Sequence, residues 1–172
     1  YGAGAIKYFY ARDPNADLTS YSVHANASRV LEISNLMDST DPDLSKFNAN
    51  GGKLVILENL ADYAQSPYAG IQYFAAVQEK MGAANTKKFA RLFAAPGVDH
   101  VGSGAPSNVD MLSVLVDWVE RGKAPDTLEV VDQEIKAPFQ VTRALPLCQW
   151  PLWPRYKAGP VNLAASFECV SN

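Results

Sequence analysis

Between Lys53 and Ala95 the chain alternates between two kinds of hydrophobic pattern. Lys53-Leu54-Val55-Ile56-Leu57 is a short apolar run entered from Gly51-Gly52, with the length and composition of a strand buried on both faces. From Pro67 to Met81 the apolar positions Ile71, Phe74, Ala75, Val77 and Met81 fall at roughly helical spacing. Pro67 suits the first turn of such a helix and Gly82 its C-terminal stop. Phe89 to Ala95 is again strand-like and halts at Pro96-Gly97. Two strands joined by a helix pair in parallel, because the crossover must carry the chain back to its starting edge. Asp62 lies just past the first strand and His100 just past the second. Both are therefore expected in loops at one carboxyl edge, where open α/β sheets keep their sites.

Further along, Val109, Leu112, Leu115, Val116 and Val119 predict a helix from Asn108 to Arg121 with one buried stripe, closed by Gly122 and Pro125. Trp118 reads as core or partial cover, and Leu128 to Val131 as another short strand. Before the central unit, Val30, Ile33 and Met37 share one face of a short helix, with Asn26 or Ser28 available as caps. Tyr1 to Arg12 can be a helix or a strand, ending at the turn Asp13-Pro14-Asn15. Asp38 to Leu44, followed by Phe47, predicts a capped helical turn. Its carboxylates lack the spacing and terminal glutamate of an EF-hand, so turn chemistry is the better reading than a calcium loop. Over residues 138–172, Pro138, Pro146, Pro151, Pro154 and Pro160 alternate with Trp150, Trp153, Tyr156 and Phe167, which predicts an extended tail laid over the domain. The fold class expected is α/β, a parallel sheet flanked by helices, with residues 1–172 forming part of a single domain.

The 172 residues are 48% hydrophobic and 19% charged, a globular composition long enough to bury a core. Fifteen basic against eighteen acidic residues give a net charge of −3 with no long run of either sign, which argues against nucleic acid or an anionic membrane as partner. No stretch approaches the roughly 18 apolar residues of a spanning helix. The chain opens at Tyr1 with neither Met nor a signal-like segment, so a lost or processed N-terminus is expected. His24 sits among polar residues and reads as solvated. The two cysteines, Cys148 and Cys169, have no further ligands flanking them and read as a staple rather than a metal site. Closing a loop of about 20 residues would stabilise by about 3 kcal/mol in the chain-entropy model. Such a staple implies an oxidising compartment, and hence a secreted or periplasmic protein.

An acid followed by a histidine, each after a successive late strand, is the chain order of an α/β-hydrolase, in which the nucleophilic serine comes first. No Gly-x-Ser-x-Gly occurs, and Ser66 and Ser103 do not sit on a strand-to-helix elbow. The chain is therefore expected to be the C-terminal part of a longer enzyme, or one subunit of a processed one. Each residue also has a plainer reading. An aspartate after a strand often caps a helix, a histidine after Pro-Gly can satisfy loop backbone groups, and Asp99 reads as a loop carboxylate able to perturb the histidine beside it.

Several phrases taken in order resemble the tannase and feruloyl esterase family of secreted α/β-hydrolases, which includes relatives that cleave terephthalate monoesters. They are Asp41-Pro42-Asp43-Leu44 with Gly51-Gly52-Lys53-Leu54, Ala61-Asp62 with Ser66-Pro67, and Pro96-Gly97-Val98-Asp99-His100. Leu115 to Gly122, Ala124-Pro125, Arg143, Pro146-Leu147-Cys148, Arg155-Tyr156 and Phe167-Glu168-Cys169 continue the match. The resemblance implies that Asp62 is the triad acid and His100 the triad base of a serine-type carboxylic ester hydrolase. It also implies that Cys148 pairs with Cys169 and that the substrate is a small phenolic ester. The nucleophile and the oxyanion hole would then come from upstream sequence, either in the N-terminal part of the same protein or on a partner chain. A lid between serine and aspartate, which carries calcium in several members, would lie upstream, with residues 1–17 as its possible final edge; no cofactor is expected in this chain. Two departures stand out. Val101 replaces the cysteine that in the family follows the histidine and is bonded to one before the serine, and Glu58-Asn59 replaces a His-Gly pair. They leave open an alternative, a non-catalytic degenerate esterase fragment that binds aromatic ligands or serves as a structural subunit. This chain alone is expected to be inactive.

Overall fold

The computed structural model describes residues 2–171. The chain divides into two compact units, Tyr1–Asp41 and Pro42–Asn172. In the smaller unit a single turn, α1 (Gly2–Gly4), runs into a π-helical stretch (Ala5–Tyr10), so the segment that could have been helix or strand is helical. The predicted turn forms, with the Asp13 carboxylate accepting the Asn15 N–H at 2.8 Å. The helix α2 (Ala27–Met37) buries Ile33 and leaves Leu31, Leu36 and Met37 exposed. Asn26 holds the N-cap position through its carbonyl, which accepts the Arg29 and Val30 N–H groups, but its side chain makes no capping bond and donates instead to the Ser22 carbonyl at 2.8 Å. The Arg29 guanidinium donates twice to the Phe9 carbonyl, at 3.1 and 2.8 Å, joining α2 to the π-helical stretch.

The larger unit opens with α3 (Ser45–Ala49), whose start is fixed by Asp43 accepting the Ser45 N–H at 3.0 Å. The predicted strand–helix–strand follows as β1 (Leu54–Asn59), α4 (Tyr68–Met81), a short α5 (Ala83–Thr86) and β2 (Ala90–Ala95). Strands β1 and β2 are parallel, in register from Leu54 opposite Ala90 to Asn59 opposite Ala95. Because side chains alternate across a strand, the pair feeds two cores. Leu54, Ile56, Ala90 and Leu92 pack with Phe74 and Val77 of α4. Val55, Leu57, Phe93 and Ala95 pack with Val98, Val130 and Leu147 on the other face.

All of β2 is buried, whereas β1 is only half-buried throughout, short of the full burial its composition predicted. Position explains the difference. On its far side β2 meets Trp150, whose N–H donates to the Leu92 carbonyl at 2.8 Å, while β1 pairs with β2 alone among the described residues.

Helix α6 (Met111–Arg121) ends as predicted at Gly122, in the left-handed conformation at φ 68°. Its buried face is rotated from the expected stripe: Trp118 is buried, while Leu112 is 75% and Val119 60% exposed. The indole accounts for the rotation. It lies beneath Arg91, whose guanidinium carbon is 4.9 Å from the ring centroid. The Arg91 side chain is itself buried and donates from Nε to the Pro125 carbonyl and from Nη1 to the Lys87 and Ala90 carbonyls, so its buried charge is offset by three backbone acceptors.

The strand predicted at Leu128 to Val131 forms, and residues 138–172, predicted as an extended tail, supply three further strands. β3 (Thr127–Gln133) pairs antiparallel with β4 (Val141–Cys148), and β5 (Trp153–Tyr156) pairs antiparallel with β6 (Phe167–Val170). Cys148 at the end of β4 is bonded to Cys169 in β6, with Cα atoms 5.6 Å apart. No helix among the described residues is long and apolar enough to cross a membrane.

Candidate active site

Where β1 and β2 end side by side, their continuing loops are stitched together by backbone bonds. The Leu60 N–H donates to the Ala95 carbonyl and the Ala61 N–H to the Val98 carbonyl, each at 3.0 Å. These bonds bring Asp62 of the first loop against His100 of the second. The Asp62 carboxylate lies 2.9 Å (Oδ2) and 3.1 Å (Oδ1) from His100 Nδ1. Oδ1 also accepts the N–H groups of Ala64 at 2.7 Å and Gln65 at 2.9 Å. The hydrogen bond from His100 first, and the Gln65 N–H next, hold the Asp62 carboxyl below the usual carboxylate range. An ionised carboxylate accepts only, which assigns the proton to Nδ1 and makes Nε2 the basic nitrogen of the neutral ring. The aspartate side chain is largely covered, at 16% exposure, and the imidazole is more accessible, at 35%. A pair so arranged can take up and return a proton at Nε2 while the carboxylate stabilises the imidazolium.

The histidine loop is shaped by Asp99, whose carboxylate accepts the N–H groups of Val101 at 3.0 Å and Ser103 at 2.8 Å. The Asp99 N–H closes the turn on the Ser103 carbonyl at 2.9 Å. Asp99 is thus a loop carboxylate that serves its own turn. At Gly104, φ is 96° and a Cβ would collide with the Gly97 carbonyl, so the loop closes through a position open only to glycine.

Three further residues stand at the site; the sequence marked Glu58 and Asn59 only as a departure from a His-Gly pair, and Tyr63 not at all. The Asn59 amide donates to the Asp99 carbonyl at 2.9 Å. Glu58, half-buried, lies against Gly70 of α4, where any Cβ would strike its carboxylate. Burial, and secondarily repulsion from Asp62, raise the Glu58 carboxyl above its ordinary value. The Tyr63 ring is exposed, with its centroid 6.0 Å from that of His100. The visible signal for the first two was a polar pair, Glu58-Asn59, closing an otherwise apolar strand.

Ser66 and Ser103 have structural places. Ser66 leads into α4, its carbonyl accepting the Ala69 N–H at 3.0 Å, and Ser103 is part of the Asp99 turn. Among the described residues no group of three or more His, Cys, Asp or Glu side chains is placed to hold a metal ion.

An esterase from Aspergillus oryzae superposes with a TM-score of 0.84 at 25% identity, over 98% of this chain and 37% of that one. The architecture is the C-terminal portion of an α/β-hydrolase. The family model for tannase and feruloyl esterase matches residues 2–170, and the chain belongs to that family. It is 36% identical over 181 residues to a probable feruloyl esterase from Arthroderma benhamiae, covering 99% of this chain and 33% of the relative. It is also 36% identical over 137 residues to a mono(2-hydroxyethyl) terephthalate hydrolase from Piscinibacter sakaiensis, covering 77% of this chain and 22% of the relative. The chain thus spans about a third or less of the length of these curated relatives.

Proposed function

We propose that this chain supplies the acid and the base, Asp62 and His100, of a serine-type carboxylic ester hydrolase acting on small phenolic or aromatic esters. The observation that carries the reading is the Asp62 carboxylate bonded to His100 Nδ1 at 2.9 Å, at the carboxyl ends of two adjacent parallel strands. In this mechanism Nε2 takes the proton of a serine hydroxyl as it attacks the ester carbonyl. Asp62 keeps the ring in the required tautomer and stabilises the imidazolium, and His100 then protonates the leaving alcohol. Serine and oxyanion hole belong to the N-terminal part of the same protein, so the chain alone is inactive. No cofactor enters through this chain, and a calcium ion, where one is held, belongs to the upstream lid. The choice of phenolic esters is supported by the names of the relatives and by the exposed Tyr63 ring beside His100. The bonded Cys148–Cys169 pair supports a secreted or periplasmic location.

The test is steady-state hydrolysis by the full-length protein of a hydroxycinnamate ester, a terephthalate monoester and an aliphatic ester of equal chain length. The aromatic esters should turn over with the higher kcat/KM, and His100→Ala should lower that turnover by about 10⁴-fold. A His100→Ala protein within tenfold of wild type would remove the histidine from the chemistry. A wild-type protein that binds the aromatic esters without cleaving them would establish the non-catalytic alternative.

A further inference from the structure

The two loops that meet at Asp62 and His100 carry no covalent tie to each other, since the chain has no free cysteine and its single disulfide joins Cys148 to Cys169. Their alignment rests on hydrogen bonds. Two of these, Leu60 N–H to Ala95 and Ala61 N–H to Val98, run between backbone groups near the strand ends. A third, apart from the Asp62–His100 bond itself, reaches furthest along the histidine loop and comes from a side chain: Asn59 Nδ2 donates to the carbonyl of Asp99, the residue next to His100, at 2.9 Å. Asn59 also acts on the other loop, because its own carbonyl accepts the Asp62 N–H at 3.1 Å. One residue at the end of β1 is thus bonded to the acid on one side and to the base's immediate neighbour on the other.

We infer that Asn59 is a positioning residue for the Asp62–His100 pair, a non-covalent clamp that fixes the imidazole by holding the Asp99 carbonyl. The inference rests on the ester hydrolase reading and specifies how its base is kept in place. Asn59 is anchored for this task, since it pairs with Ala95 in the β1–β2 ladder and its side chain emerges from a fixed backbone. The Asp99 turn is internally closed by its carboxylate, so it moves as one piece, and a pull on its carbonyl carries to His100. Without the amide, the loop retains its internal turn, but of these lateral bonds the one that remains beyond Val98 is the Asp62–His100 contact that the clamp is meant to align.

The consequence is a defect in geometry with binding spared. A misplacement of about 1 Å at a reacting group can cost about 100-fold in rate. In the full-length protein, Asn59→Leu, which keeps the branching and the number of heavy atoms and removes the donor, should lower kcat by about 10- to 100-fold with KM changed by less than about twofold. The His100 Nδ1 proton, followed by NMR, should exchange with solvent faster than in wild type. Asn59→Asp, similar in shape and also unable to donate, should show the same two changes at neutral pH and serves if the leucine variant fails to fold. Unchanged kcat together with an unchanged Nδ1 proton in a folded variant overturns the clamp. His100→Ala measured in parallel separates the two claims. If it retains turnover, the hydrolase reading fails; if it abolishes turnover while Asn59→Leu stays fully active with a protected Nδ1 proton, only the clamp fails.

Discussion

The parallel pair β1–β2 is joined through a long helical crossover, and its loops are free to carry Asp62 and His100 past the sheet edge. The antiparallel pairs β3–β4 and β5–β6 are built from neighbouring segments and locked by the Cys148–Cys169 bond between β4 and β6. The two regions share a core through Phe93, Ala95, Val130 and Leu147, yet they divide the labour. In the first, precision comes from short polar contacts: Asp62 with the Ala64 and Gln65 amides, Asp99 with the Val101 and Ser103 amides, and Asn59 across to Asp99. In the second, stability comes from ladder bonds, apolar packing and a covalent link. Substitutions in the first region should therefore change rate more than melting temperature, and substitutions in the second the reverse.

The largest effect that sharpens this division is expected at Asp62. Asp62→Asn preserves the side chain's shape but removes the ionised acceptor for Nδ1–H, and should reduce kcat in the full-length protein by about 10⁴-fold. Thermal unfolding monitored by circular dichroism should show only a small accompanying shift. A comparable loss of rate explained by global unfolding would erase the contrast.

The second effect lies in the other region. Replacing both Cys148 and Cys169 by Ser should lower stability by about 3 kcal/mol in the chain-entropy model, measured by urea titration. Turnover well below the melting temperature should stay close to wild type. A large fall in kcat under those conditions would mean that the disulfide also holds the site.

The smallest effect is pH-dependent and returns to the first region. Burial, then Asp62, raise the folded-state pKa of Glu58, so folding penalises its ionised form. That penalty is absent at low pH, where Glu58 is protonated in both states, and is fully present once pH exceeds the raised folded value. Glu58→Gln should therefore raise the melting temperature at pH 7 and change it little below about pH 4. Asp62 has the opposite sign. Its lowered pKa contributes stability above the ordinary carboxylate value that is lost as pH falls through the lowered one, so Asp62→Asn should cost more at pH 7 than under strongly acidic conditions.

The same contrast separates what could be read from the sequence from what could not. The strand–helix–strand was legible because its hydrophobic period switches cleanly and its stops, Gly82 and Pro96-Gly97, are chemically distinct. That topology alone predicted that Asp62 and His100 share an edge. Of the antiparallel strands, β3 was legible at Leu128 to Val131, but β4 and β5 were hidden because Pro146 and Pro154 lie inside them and suggested irregular chain, although Pro146 is accommodated in β4 opposite Glu129 and Pro154 in β5 opposite Cys169. The buried stripe of α6 was misplaced because an apolar count weighs Leu112 and Val119 equally with Trp118. The indole, stacked under a buried arginine, outweighs them. Asn59 could not be assigned because its partner, the Asp99 carbonyl, is a backbone atom forty residues away and carries no sequence signature.

The central claim is that His100, oriented by Asp62, activates a serine elsewhere in the same protein. Intact-mass analysis of the full-length protein after treatment with a fluorophosphonate tests it most directly. Wild type should gain the mass of one phosphonyl group on a serine upstream of this segment, and His100→Ala should fail to gain it over the same interval. Equal labelling of wild type and His100→Ala, or no labelling of a folded wild-type protein, would contradict the account.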